Sequence, residues 1–393
     1  MHFMKLDIHK IDNRLEKTLE NLNALKPEER KLILEFYEKY CIKNDLSKAR
    51  SVKLVFLLRL IVQKTGKNVC DLTEDDIDNL IIKLNKADYS PETVRDYKVM
   101  LKTFFKWYNK GEKISIVANL KAVIPKNKRK VIKPEDLLND DEKLRLLQAC
   151  NTSMQKAFIS CLMETGARVA EIGNARIGDV HFDESGADIT ISGKTGTRRV
   201  RLVLFRNNLM KWINEHPLVN DSKAPLWVTK QGEIKQMQYT NIRKMINTIG
   251  KRASITKRIN PHSFRHLRAT ELLTKLPQGI ASSYLGWELD SKMPKIYGHI
   301  SNEQVSDAYN GLYGIVKKTK TQLNQRVCPR CLIAHSPTET FCSKCNMPLE
   351  KSVNEQKIFK DMVKENQKEQ FFTMLDEWWA KKQQKEFELA RQY

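Results

Sequence analysis

Residues 181–205, HFDESGADITISGKTGTRRVRLVLF, alternate apolar and polar side chains at the period of a half-buried strand, and GKTG interrupts them as a hairpin turn would. Nearly everything around this stretch repeats at the helical period instead. DLLNDDEKLRLLQACN and SMQKAFISCLMETG precede it; NNLMKWINEH, YTNIRKMINTIGKRA and HSFRHLRATELLTK follow it. The expectation is a mainly α fold with a small antiparallel β-sheet, an α+β domain over 135–320. GKTG lacks the upstream glycine of a phosphate-binding loop and sits in a hairpin rather than before a helix, so it does not read as a nucleotide site.

The segment 28–124 reads as a separate all-helical domain. DLTEDDIDNLIIKL begins with Thr73 and Asp76 at capping-box spacing, and SPETVRDYKVMLKTFFKWYNKG has Ser90 as N-cap with Pro91 at the first helical position. Residues 1–27 read as an N-terminal leader. Residues 125–134, PKNKRKVIKP, are too charged and too bounded by proline for a core, and read as an inter-domain linker. At 393 residues, two or three domains are natural.

Charge narrows the choice of partner. The chain carries 69 Lys and Arg against 47 Asp and Glu, a net charge of +22. Such an excess points to a polyanion, nucleic acid first. It is also local: residues 121–133 hold six cations and no acid, and residues 241–268 hold eight cations and no acid. No apolar run approaches the roughly 20 residues that span a bilayer, the nearest being LVFLLRLIV at 54–62, and MHFMKLDIHKID has no signal-peptide core. A soluble, cytoplasmic, DNA-associated protein with no membrane partner is expected.

Breaking a phosphodiester without a metal requires a nucleophile, cations on the non-bridging oxygens and a proton donor for the leaving oxygen. The chain offers these in order: Arg168 after ETGA, Lys194 in ISGKTG, His262 and Arg265 one helical turn apart in PHSFRH, Trp287 in LGW, and Tyr297 in KIYGHI. Taken together, TGARVAEI, ISGKTG, PHSFRH, LGW and KIYGHI resemble the tyrosine recombinase, or phage-integrase-like, family. Trp287 stands where many members have His, and the Trp-to-Tyr spacing is closer to archaeal members than to the bacterial Xer pattern.

The resemblance implies a metal- and ATP-independent site-specific recombinase or integrase, working through a covalent 3′-phosphotyrosyl intermediate with no cofactor for catalysis. It implies double-stranded DNA attachment sites as partner, a homotetramer on DNA, and an N-terminal SAM-like core-binding domain. Arg168 and Arg265 would clamp the phosphate, Tyr297 would attack, His262 would accept its proton, and Lys194 would protonate the leaving oxygen. Trp287 can donate one bond and pack. Glu171 would orient the site, its alternative being a surface helix carboxylate; His266 and His299 would be structural supports. Arg198 and Arg199 compete with Lys194 for its role. Lys126, Lys128, Arg129, Lys130, Arg252, Lys257, Arg258 and Arg268 are the expected DNA contacts. A topoisomerase-IB-like relaxing enzyme and a catalytically silent DNA-binding protein are the competing readings.

Residues 321–350 hold a second motif. Cys328-x2-Cys331 and Cys342-x2-Cys345 suit one tetrahedral structural Zn²⁺ with four thiolates, a zinc ribbon, with His335 as an outside candidate. Cys41, Cys70, Cys150 and Cys161 read as single buried thiols. In the tail, 351–393, Ile358, Met362, Phe371, Leu375 and Trp378 recur at mostly helical spacing, so an amphipathic helix seeking a packing surface is expected.

Overall fold

The computed structural model describes residues 6–111, 115–125, 127, 134–193, 195–229, 233–288, 290, 291, 293, 294, 306, 309, 310, 326–328, 330, 333–342 and 347–349. Packing divides the chain into two units, Met1–Val203 with Asn208–Lys318, and Leu204–Asn207 with Thr319–Tyr393. Among the described residues the chain is mainly helical with small antiparallel sheets.

The first unit opens with helices α1 (Ile11–Glu20), α2 (Pro27–Phe36), α3 (Lys48–Thr65), α4 (Glu74–Lys86) and α5 (Pro91–Tyr108). The caps fall where local chemistry places them. Thr73 accepts from the Asp76 amide while the Asp76 carboxylate accepts from the Thr73 amide, and Ser90 accepts from the Thr93 amide ahead of Pro91. Leu54, Val55, Leu57, Leu58, Ile61 and Val62 of LVFLLRLIV are the buried face of α3, packed with Phe36, Tyr97, Met100 and Phe104 in a core that runs from Leu22 to Leu120, while Phe56 is exposed. Burying each large apolar side chain contributes about 1.5–3 kcal/mol. No helix among the described residues is long and apolar enough to cross a membrane.

Helices α6 (Asp140–Gln148), α7 (Ser153–Thr165) and the single-turn α8 (Val169–Gly173) follow. The sheet comes next: β1 (Val180–Phe182), β2 (Ala187–Gly193) and β3 (Gly196–Leu202), antiparallel in the order β1-β2-β3. Gly193 pairs with Gly196, so the turn is two residues long. Ala187, Ile189 and Ile191 are buried on one face of β2, and Asp188 and Thr190 lie between them, as the alternation requires. Helix α9 (Arg206–Asn214), the two-residue strands β4 (Val228–Thr229) and β5 (Lys235–Gln236), and helices α10 (Tyr239–Arg252), α11 (Pro261–Lys275) and α12 (Gln278–Leu285) follow. Sequence periodicity misses β4 and β5, which are too short to show a period, and α12, whose Gly, Ala and Ser residues blur any apolar stripe.

The stretch read as a leader is ordered into helix from Ile11, and its beginning is strapped across α8. The Ile8 amide donates to Asn174 Oδ1 at 3.0 Å, and the Ile8 carbonyl accepts from the Tyr239 amide at 2.9 Å. Its side chain is buried and sits so close to Gly173 that a Cβ there would lie 3.0 Å from it. The other face of α8 is fixed by the fully buried Trp227, whose indole N–H donates to the Ile172 carbonyl at 2.8 Å.

In the second unit, β6 (Arg326–Val327) pairs antiparallel with β7 (Ala334–His335). The basic linker residues Lys126, Lys128, Arg129 and Lys130, and the whole of 351–393, lie outside the described residues.

Candidate active site

Two glycines organise the site by stopping helices. Helix α7 ends at Gly166, φ +60°, whose amide donates back to the Leu162 carbonyl; α12 ends at Gly286, φ +64°. At the second stop the Gly286 amide bonds the Ser283 carbonyl and the Trp287 amide bonds the Ser282 carbonyl, a Schellman motif. TGA and LGW are therefore helix terminators, and each leaves main-chain oxygens without an intrahelical donor.

Arg265 uses those oxygens. It is 5 % exposed, and its guanidinium donates from Nη1 to the Gly166 carbonyl at 3.0 Å and from Nη2 to the Leu285 carbonyl at 2.8 Å. The cation thus sits at the negative ends of two helix dipoles. The Trp287 ring, also buried, lies 5.6 Å from the guanidinium carbon. Arg265 itself rides on α11, whose start is set by Asn260, Pro261 at the first position, and the Asn260 side chain accepting from the His262 and Ser263 amides.

His262, one turn before Arg265, is reached by solvent. Partial desolvation, then the positive charges of Arg265 and Arg168, hold its pKa below the ordinary 6.5. At neutral pH the imidazole is uncharged and able to accept a proton. The sign for stability follows: the unfolded chain takes up this proton first, so His262 opposes folding only as pH falls from 6.5 through its lowered value. The His266 ring centroid is 6.4 Å from that of His262.

Arg168 precedes α8 and is joined to Glu171, Nη1 to Oε1 at 2.8 Å, while the Glu171 carboxylate also accepts the Arg168 amide at 2.9 Å. Glu171 is buried, which overturns its reading as a surface carboxylate. Burial pushes its pKa up, but hydrogen bonds from Arg198 and Arg168 outweigh this and hold it below the ordinary carboxylate value. Arg198 supplies two of them, Nη2 to Oε2 at 2.9 Å and Nη1 to Oε1 at 3.2 Å. Strand β2 must pass close by: a Cβ on Gly193 would lie 2.5 Å from Glu171 Oε1. Thr195, which leads into β3, donates from Oγ1 to the Gly286 carbonyl at 3.1 Å and so lies beside the Trp287 segment.

The structure gathers Arg168, Glu171, His262, Arg265 and Trp287 at one place; Lys194 and Tyr297 lie outside the described residues, as does His299. The expected DNA contacts divide. Arg258 is exposed. Arg252, also exposed, donates to the Ala149 carbonyl at 3.3 Å. Lys257 is spent inside the chain, on the Leu137 carbonyl at 2.7 Å and Glu142 at 2.8 Å. Arg268 pairs with Glu271 at 3.2 Å, with its stem against Gly166.

Residues 136–304 match the phage integrase family. The match places a domain of that family, the family of tyrosine recombinases, in this chain. The chain is similar to the tyrosine recombinase XerC of Anoxybacillus flavithermus, 24% identical over 282 residues that cover 68% of this chain and 89% of that protein. It is likewise similar to XerD of Listeria innocua, 27% identical over 257 residues, 61% of this chain and 82% of that one. In fold it is similar to the Tn1549 transposon integrase solved with transposon right end DNA, at TM-score 0.56, 16% identity and 72% and 99% coverage of the two chains. XerH site-specific recombinase bound to its difH substrate follows at TM-score 0.52, 18% identity, 78% and 96% coverage.

For a tyrosine recombinase, sequence reasoning under-read two residues. Asn260 was legible as an N-cap before proline. Arg198 was weighed only as a rival to Lys194, and its ties to Glu171 and to the Tyr284 carbonyl, 2.9 Å from Nε, depend on contacts far apart in the chain.

In the second unit, Cys328 and Cys342 are both fully buried. The Cys328 amide donates to the Ile333 carbonyl at 2.9 Å and the Cys342 amide to the Met347 carbonyl at 2.7 Å, five residues on in both cases. Cys331 and Cys345 lie outside the described residues. His335 Nδ1 is 2.6 Å from Glu339 Oε2, and no three metal-binding side chains meet among the described residues.

Proposed function

We propose that this tyrosine recombinase acts on the attachment sites of a mobile element, integrating or excising DNA as a homotetramer closed around two duplexes. The observation that carries the reading is Arg265, buried, permanently charged and anchored by two helix ends, with Arg168 and His262 close by. A fixed guanidinium of this kind suits a phosphate diester, whose two non-bridging oxygens match its forked donors. The likeness in fold to a transposon integrase supports the mobile-element reading. In the proposed chemistry, the Tyr297 hydroxyl oxygen attacks phosphorus and its proton passes to His262. The bond from phosphorus to the 5′ oxygen breaks, and that oxygen takes a proton from Lys194. The phosphotyrosyl bond retains the energy of the one broken, so a new 5′ hydroxyl can displace Tyr297 without ATP.

The test is incubation with attachment-site DNA in EDTA. A covalent adduct should appear on Tyr297, Tyr297→Phe should form none, and the rate should fall only below pH 6.5, as His262 becomes charged. An adduct with Tyr297→Phe undiminished would remove the assignment. Relaxation of supercoils without any need for paired sites would favour a topoisomerase instead.

For residues 321–350 we assign a structural Zn²⁺ held by Cys328, Cys331, Cys342 and Cys345, which fixes a segment too small for a core of its own. The purified chain should carry one zinc per molecule by elemental analysis, and Cys328→Ser should lose it. Zinc content unchanged by that substitution counts against the ribbon.

A further inference from the structure

The geometry points to Arg198 as a positioning residue that keeps Arg168 available to phosphate by holding the charge of Glu171, an inference that rests on the recombinase reading above. Two guanidiniums share one buried carboxylate here. Glu171 is 2 % exposed at its side chain, Arg198 14 % and Arg168 33 %. The inner arginine makes the forked contact to both carboxylate oxygens, while the outer one makes a single side-chain bond through Nη1. Summed over the three groups the charge is positive by one, and the more exposed member is Arg168.

Without Arg198 that sum falls to zero. A carboxylate already bonded to the Arg168 amide and Nη1 would take the guanidinium as its sole counter-ion, and a DNA phosphate would have to compete with it in a poorly solvated site. Arg198 prevents this because its own place is fixed. Its Nε donates to the Tyr284 carbonyl at 2.9 Å, and its guanidinium packs so tightly on Gly286 that a Cβ there would lie 2.8 Å away. One side chain on β3 therefore spans the start of α8 and the end of α12, which carry Arg168 and Trp287.

The experiment is single-turnover adduct formation with the full chain on attachment-site DNA. Arg198→Ala is expected to slow it by about 10- to 100-fold, the scale seen when a group that orients a reactive side chain is lost. Adding Glu171→Gln restores the charge sum and should recover about tenfold of that loss. Arg198→Lys, which keeps the charge without the fork, should fall between the unaltered chain and Arg198→Ala. A purely structural arginine predicts the opposite: the double variant, missing two buried contacts, would be slower still, and that result overturns the inference. So does Arg198→Lys as slow as Arg198→Ala, or Arg198→Ala at full rate. No adduct from the unaltered chain would instead remove the recombinase reading itself.

Discussion

Arg265→Lys should slow adduct formation on the order of 100- to 1,000-fold, the range for removing a fixed donor from a charged transition state. Its melting temperature should fall by about 2–12 °C. The charge survives this substitution, so charge alone is not what is tested. A guanidinium reaches the Gly166 and Leu285 carbonyls through two different nitrogens and keeps a fixed plane between two helices. A lysine ammonium has one nitrogen on a flexible stem; it can satisfy one carbonyl or turn toward a phosphate, with nothing to fix its direction. The carbonyl left without a donor costs about 1–3 kcal/mol, worth roughly 2–4 °C per kcal/mol in a domain of this size. Calorimetry with single-turnover cleavage separates the two effects, and a lysine variant that cleaves at the unaltered rate would show that the anchoring is not used.

Gly166→Ala should lower the melting temperature far more than Gly66→Ala, although both glycines end helices in the left-handed region, at φ +60° and +69°. At Gly66 a Cβ meets nothing within 4 Å, so only the backbone penalty of about 1–2 kcal/mol applies. At Gly166 the Cβ would lie 2.8 Å from Arg268 Cβ and 3.0 Å from its Cγ, both near the backbone of α11 and unable to swing away. Separating α7 from α11 adds about 1–3 kcal/mol of overpacking. It also moves the carbonyl that holds Arg265, so cleavage should drop with stability for this variant and not for Gly66→Ala. Equal melting losses would show that α7 and α11 are less tightly joined than these distances imply.

These two predictions mark what the sequence could and could not convey. The residues proposed to meet phosphate stand out in the sequence because their types are chemically demanding and their order is distinctive, and Arg168, His262, Arg265 and Trp287 lie together in the structure. The helix carrying two of them announces itself through Asn260 and Pro261. What holds them was hidden, because the partners are main-chain oxygens that any residue could supply. Gly166 and Leu285 are 99 and 20 residues from Arg265, and no pattern of side chains encodes that distance. Glu171 left a site-orienting or a surface reading open because a carboxylate one turn after Arg168 fits either; its burial comes with Arg198 arriving from β3. Lys257 looked like a DNA contact since sequence records its charge but not its neighbour Glu142.

The strap at Ile8 bears on how α8 keeps its shape. Helix α8 is a single turn, too short to hold its shape in water unaided, and its first residue follows Arg168. Part of what holds it comes from Ile8, 166 positions before Asn174, the side chain it engages. Loss of the Ile8 side chain would therefore loosen the turn that follows Arg168 while leaving every one of residues 136–304 intact.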